Sequence, residues 1–151
     1  MGKKQTEVFV ANTEQQLEDV YRVRREVFVN EQGVPESIEI DDKEIDAVHF
    51  IVYVHNVPVG AGRFRMLEEV AKVERVCVLQ EYRKHGVGAL LMEKMEDVAK
   101  QKGVTKLSLN AQTHAEDFYK KAGYQTVSNT FYDAGILHVR MEKELKNNSC
   151  I

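Results

Sequence analysis

Arg83-Lys84-His85-Gly86-Val87-Gly88 sets three side chains able to carry positive charge beside two glycines, directly ahead of an apolar helical run. The first N–H groups of a helix lack intrahelical partners and carry partial positive charge. Glycine lets a ligand approach the backbone and accepts turns that other residues resist. The natural occupant of such a place is an anion, a pyrophosphate above all, although the same glycines could serve packing alone. Two nucleotide motifs can be set aside. A Walker loop needs Gly-x-x-x-x-Gly-Lys-Ser/Thr, and no such run occurs. A dinucleotide fingerprint needs a third glycine, where this chain has Leu91, and it belongs to the first strand–helix turn, whereas this one lies mid-chain.

Other reactive side chains point to less. Cys77 sits in an apolar run, where a free thiol is usually a small inert hydrophobe, so an acyl-carrying role is not expected. His49, His55 and His138 are scattered on predicted strands and a turn without zinc-ligand spacing, so no metal site is expected.

The elements that must position the glycine loop can be read from periodicity. Val8–Asn12 alternates as a first strand. Thr13 with Gln16 fits a capping box, and Leu17, Val20, Tyr21, Val27 and Phe28 form a helical stripe that ends near Asn30. Residues Glu31 to Lys43 are polar and acidic and read as a loop or short broken helix. Two β-rich runs flank His55-Asn56-Val57-Pro58 as a hairpin. Ala71–Leu79 is a strand, and the helix after the loop places Val87, Leu91, Met95 and Val98 on one face, with Gly103 suited to follow its end. "TKLSLNA" is a strand. Thr113 with Glu116 again fits a capping box, opening a helix that Gly123 stops. "YQTVSNTFY" and "ILHVRMEKEL" are strands joined at Asp133-Ala134-Gly135. The order β-α-ββ-β-α-β-α-β-β predicts a mixed α/β (α+β) domain spanning 1–151. Its central strand–helix–strand unit should be a parallel pair with the glycine loop at a strand carboxyl end, where ligands bind in such sheets.

Composition narrows the class. The chain has 151 residues, 43% apolar and 30% charged, with a formal net charge of -3. That balance argues against a general nucleic-acid binder, whose footprint would be basic. No run approaches the roughly 20 apolar residues needed to span a bilayer. "MGKKQTEVFV" lacks the apolar core of a secretory signal, and Gly2 with Thr6 is a poor match to a myristoylation site. Two cysteines, Cys77 and Cys150, make no disulfide framework and suit a reducing cytoplasm.

Arg83, Gly86 and Gly88 follow the pattern Arg/Gln-x-x-Gly-x-Gly/Ala between a strand and a helix. "FYKKAGY" (Phe118–Tyr124) follows a second pattern, Phe/Leu-Tyr-x-x-x-Gly-Phe/Tyr. Together, at this separation and in this strand order along nearly the full chain, they resemble the GNAT superfamily of acetyl-CoA-dependent N-acetyltransferases. "NAQTHAEDFYKKAGY" and "GILHVRM" look closest to its ElaA-like branch. Gln112 departs from the pattern, many members carrying Asn there.

The resemblance implies direct attack by an amine on the acetyl thioester of acetyl-CoA in a ternary complex, without metal. It implies that backbone N–H groups from Arg83, Lys84, His85, Gly86, Val87 and Gly88, and of Ala89, hold the pyrophosphate. The pantetheine arm would lie as a pseudo-strand along Val76, Cys77 and Val78, with an N–H of Cys77 or Val78 near the oxyanion. Gln112 and Phe118 would also border the cofactor. Tyr119 would protonate the leaving thiolate. Glu74, expected opposite Cys77 by strand alternation, is the candidate base; a surface Glu paired with Lys72 or Arg75 is the alternative reading, and His114 the rival base. The acceptor pocket would draw on Phe28, Glu31, Gln32, Tyr132 and His138. Glu31, Asp41, Asp42 and Glu44 would favour a cationic amine, unless they form only a solvated acidic loop. A homodimer is compatible with the resemblance. A CoA-binding regulator with a degenerate acceptor site, or a phosphate-binding interaction module, would share the loop but not the turnover.

Overall fold

The computed structural model describes residues 5–41, 43–44 and 46–145; Gly2, Asp42 and Cys150 lie outside them. Eight strands form one mixed sheet: β1 (Thr6–Val10), β2 (Ala47–Val54), β3 (Val57–Leu67), β4 (Val70–Val78), β5 (Lys106–Gln112), β6 (Gln125–Thr126), β7 (Phe131–Asp133) and β8 (Ile136–Glu144). The order is β1-β2-β3-β4-β5-β8-β6, with β7 also on β8. Among the described residues only β4 and β5 pair in parallel, joined by helix α3 (Val87–Gln101) as the sequence order requires.

The two faces carry different helices. Helix α1 (Glu14–Arg24) lays Val20 and Val23 over Ile51, Ala61 and Cys77. Helix α3 lays Leu91 and Met95 over Phe50, Phe64, Leu107 and Met141 on the other face. Each such fully buried side chain is worth roughly 1.5–3 kcal/mol against exposure.

Local chemistry explains the ends of these elements. Thr13 Oγ1 accepts from the Gln16 N–H at 3.1 Å, and the Gln16 side chain accepts from the Thr13 N–H at 3.2 Å, so the first capping box forms. Regular α geometry stops at Arg24, short of the expected Asn30; Arg25–Glu31 continues as a π-helical segment in which the Gln32 N–H reaches back to the Val27 carbonyl. His55 and Asn56 both adopt positive φ (51° and 69°), a two-residue turn that leaves Val57 and Pro58 inside β3. The second capping box does not form. Thr113–Ala115 makes a 3-10 turn, α4 (Glu116–Lys121) starts at Glu116, and the Glu116 carboxylate accepts instead from the Thr126 hydroxyl. The expected strand over "YQTVSNTFY" is broken between β6 and β7, where the Ser128 hydroxyl takes the Arg140 N–H at 2.9 Å in place of a backbone carbonyl.

Several carboxylates of the acidic segment after α1 are partnered and partly buried, although Glu31 and Glu36 stay exposed. A short helix α2 (Glu36–Glu39) and the following turn are fastened to the sheet through arginines. Arg24, 1% exposed, binds Glu39 (2.6 Å) and Glu44 (2.7 and 2.8 Å). Arg63, also 1% exposed, binds Asp41 (2.9 and 3.0 Å), Glu44 (2.8 Å) and Glu74. Burying such charges is tolerable only because each is paired and hydrogen-bonded. Asp41 and Glu44 are therefore spent on arginines and offer no free charge to an amine.

Candidate active site

The site begins with an irregularity in β4. Ala61 pairs with Cys77 and Arg63 with Glu74, so three steps on β4 match two on β3. The extra residue is Arg75, at φ +59°, a value unusual for a non-glycine residue. Its side chain is held by the Glu39 carbonyl (3.0 and 3.1 Å) and Asp41 (3.3 Å). The bulge changes the alternation: Glu74 and Cys77 lie on the same face, the α1 face, not on opposite faces as an unbroken strand would have them.

The bulge also ends the parallel pairing. The β4–β5 ladder runs from Val70 with Lys106 only to Val73 with Leu109. Beyond it, Val76–Val78 on β4 and Asn110–Gln112 on β5 do not pair with each other, and this break in the ladder is the cleft between the two strand ends. Val76 faces α3, where it lies near Met95 and the backbone of Gly62. Cys77 faces α1 and is buried, which pushes its thiol up to about 12. A thiol so held is not a nucleophile.

The loop after β4 leads to α3 at the mouth of this cleft. A 3-10 turn (Gln80–Tyr82) uses the Arg83 N–H, which bonds the Gln80 carbonyl. That N–H is thus not available to a ligand, and the open set starts at Lys84. Lys84 (φ +67°) and Gly86 (φ +83°) are both left-handed. Gly86 precedes α3 and brings no capping side chain, so the first N–H groups of the helix are left open. Gly88 serves a different purpose. A Cβ there would meet Phe118 at 3.0 and 3.1 Å, so the missing side chain is what lets α4 close on α3. Lys84, His85 and Ala89 are exposed, and Val87 is buried beneath the loop.

Arg83 does not project freely. Its Nε donates to the Val78 carbonyl at 2.8 Å, and Nη1 and Nη2 donate to both Glu31 oxygens at 2.8 and 2.6 Å. Arg83 thus adds little net charge for a phosphate, and Glu31, held below the usual carboxylate range by Arg83, is no free acceptor-side carboxylate. Its neighbour Gln32 makes reciprocal amide bonds with Gln112 (2.9 and 3.3 Å), and Gln112 Oε1 lies 2.7 Å from His114 Nε2. A continuous polar strap therefore runs from the end of β4 through Arg83, Glu31–Gln32 and Gln112 to His114 at the end of β5.

Tyr119 is 8% exposed and packs edge-on against Phe118 and Tyr124, with ring centroids 4.9 and 5.8 Å away. Burial raises its pKa, with a smaller contribution from the Cys77 thiol. Glu74 is a different case. It takes hydrogen bonds from Arg63 (3.0 Å) and Arg65 (2.9 and 2.9 Å). Burial alone would raise its pKa, but the Arg65 and Arg63 guanidinium groups outweigh that and hold it below the usual range. Of the acceptor candidates, Phe28 packs beside the α1-face core, Tyr132 is 75% exposed, and His138 is buried, stacked on Phe131 and bonded to the Ile136 carbonyl. His138 stands opposite Gln112 in the β5–β8 ladder. Among the described residues no group of three His, Cys, Asp or Glu side chains is placed to hold a metal, and no helix is long and apolar enough to cross a membrane.

A mixed sheet splayed between its parallel strands, with an uncapped helix start at the splay, defines an acyltransferase-type fold. Residues 4–145 match the family model described as an acetyltransferase (GNAT) domain, and the chain belongs to that family. It is 48% identical over 136 residues to YjcF of Bacillus subtilis, an uncharacterized N-acetyltransferase, covering 89% of this chain and 97% of that one. A Lactobacillus plantarum crystal structure provisionally assigned as an N-acetyltransferase superposes with a TM-score of 0.87 at 27% identity, covering 95% and 100% of the two chains. Escherichia coli ElaA superposes at 0.80, covering 92% and 98%; at 24% identity it is alike in fold.

Proposed function

We propose that this chain transfers an acetyl group from acetyl-CoA to a primary amine by direct attack within a ternary complex. The observation that carries this reading is the bulge at Arg75, which frees the Val76–Val78 edge beside the open N–H groups of α3. An extended pantetheine arm needs such an edge, and a pyrophosphate needs such a helix start. Members of the family take acyl-CoA. The donor supplies the activated acyl carbon; the chain supplies position and proton transfer. Backbone N–H groups from Lys84 to Ala89 hold the pyrophosphate, with Lys84 adding charge and His85 a hydrogen-bonding ring at the rim. Gln112 and Phe118 wall the cleft on the β5 and α4 sides.

Tyr119 is the general acid of this reading. Its raised pKa keeps the phenol protonated, and its hydroxyl has no hydrogen-bond partner among the described residues, so it can serve the departing thiolate. Glu74 is not proposed as the base, because two arginines occupy its oxygens and hold it in the weakly basic, ionised form. The acceptor enters from the α1 side, past Phe28, Gln32 and Tyr132.

Acetyl-CoA titration followed by the melting temperature, with ATP as control, tests the donor. A ligand at 100 times its Kd adds about 2.7 kcal/mol. A rise with acetyl-CoA and little with ATP supports the reading; no rise at millimolar acetyl-CoA overturns it. Thiol release with a panel of primary amines then separates a transferase from a protein that only binds the donor.

A further inference from the structure

We propose that His114 is the base that deprotonates the acceptor amine, oriented for that task by the Gln112–Gln32 amide pair. This rests on the transfer reading above. Three observations converge on it. First, the two candidate carboxylates of the site are already committed: Glu74 to Arg63 and Arg65, and Glu31 to Arg83. Second, Gln112 Oε1 accepts from Gln32 Nε2, so toward the imidazole it presents an acceptor at 2.7 Å. The ring answers with Nε2–H and keeps its lone pair on Nδ1, the nitrogen left to receive a proton. Third, His114 is exposed and ends the strap that runs from Arg83 through Glu31–Gln32 and Gln112, so among the described residues the ring is anchored through one nitrogen only. This is the nucleophile–base–orienter logic with an amide in the orienting position.

The proton balance closes. The acceptor ammonium gives one proton to Nδ1 of His114. The freed lone pair forms the N–C bond and the C–S bond breaks. The departing thiolate takes the Tyr119 proton; of the two protons then on the acylated nitrogen one restores the phenol and the other stays in the amide. His114 returns its proton to solvent, since its side chain is exposed. The charged and titratable groups around it are Glu31 and Arg83 from the strap, His138 across the ladder from Gln112, and Glu116 and Asp117 on its own segment.

The test uses the full chain, acetyl-CoA and the primary-amine panel. His114→Gln should lower kcat/KM at neutral pH by roughly 10²–10⁴ and abolish the acidic limb of its pH profile, with the acetyl-CoA Kd changed less than about twofold. Gln112→Leu should lower kcat at saturating acetyl-CoA and amine, because it loosens the ring without removing it, whatever it does to the binding of either substrate. Independently of turnover, ¹⁵N spectra of the imidazole should show Nε2 protonated and Nδ1 bare in the wild type. A His114→Gln enzyme with wild-type rate and pH profile, or a ring protonated on Nδ1, overturns the base while leaving the transferase reading standing. A wild-type chain that binds acetyl-CoA and turns over no amine overturns the transfer reading, and the base with it.

Discussion

Arg83 and Glu31, 52 residues apart, meet in a two-point ion pair at 2.6 and 2.8 Å, while Arg83 Nε holds the Val78 carbonyl. One guanidinium thus ties the end of β4 and the glycine loop to the end of the π-helical segment. The pair is partly exposed, and exposed pairs contribute about 0–1 kcal/mol. Glu31→Gln is therefore expected to weaken acetyl-CoA binding by no more than about fivefold, with little change in melting temperature. Arg83→Ala should cost more, because the Val78 carbonyl also loses its donor. Calorimetric titration of both variants and of the double variant measures the coupling; a loss for Glu31→Gln as large as for Arg83→Ala would show that Glu31 acts on the ligand rather than through the arginine.

Gly88 and Gly86 should fail differently when changed to alanine. At Gly88 the new Cβ would strike the Phe118 ring, which must shift for the helix to remain seated. Overpacking of this kind costs roughly 1–3 kcal/mol, and here it displaces the residue next to Tyr119. At Gly86 nothing lies within 4 Å, but φ is +83°, so the penalty is backbone strain of roughly 1–2 kcal/mol. Gly88→Ala should lower kcat, destabilise the fold and weaken acetyl-CoA binding through the displaced Phe118, whereas Gly86→Ala should weaken acetyl-CoA binding and keep kcat at saturation. Denaturant unfolding beside steady-state kinetics separates the two.

Tyr119→Phe removes only a hydroxyl that bonds nothing among the described residues, while the ring contacts with Phe118 and Tyr124 persist. Stability should stay within about 0.5 kcal/mol, as for substitutions that break no contact. The rate should fall by roughly 10²–10⁴ if the phenol is the acid. A variant that melts like the wild type and keeps its kcat would assign Tyr119 to packing alone.

The sequence carried the local devices well. The Thr13–Gln16 box, the Gly86 turn, the Gly103 position after α3 and the α3 apolar face all depend on residues within a few positions of each other. It carried the Phe118-Tyr119 pair as a resemblance and not the reason Gly88 is glycine, which is Phe118 itself. What stayed hidden depends on distance along the chain. No glycine or proline marks the bulge at Arg75; its positive φ persists because Glu39 and Asp41, 36 and 34 residues away, hold the guanidinium. The alternation argument for Glu74 failed for that reason. The Gln32–Gln112 contact spans 80 residues and could be signalled by neither periodicity nor spacing. The acidic run looked solvated because its arginines, Arg24 and Arg63, lie on other elements.

Those arginines also set the response to acid. Asp41, Glu44 and Glu74 all have carboxyls held below their ordinary values in the folded chain, each by arginines that outweigh the effect of burial. A group with a depressed folded pKa contributes stability that is present above its unfolded pKa, near 4, and is lost as pH falls through the folded value. The melting temperature should thus be nearly flat from pH 7 to about 5 on account of these three, then fall steeply below about pH 4. Glu74→Gln should remove part of that dependence and leave Arg63 and Arg65 short of a partner. Breaking a buried pair on one side typically costs about 3–5 kcal/mol; Glu74, half-buried, should fall toward the lower figure. Because Glu74 is paired and not basic, the variant should keep the acidic limb of the rate profile at temperatures where it remains folded. Melting curves from pH 3 to 8 beside the kcat/KM profile distinguish this from catalysis: loss of the acidic limb without loss of stability would return Glu74 to the role of base.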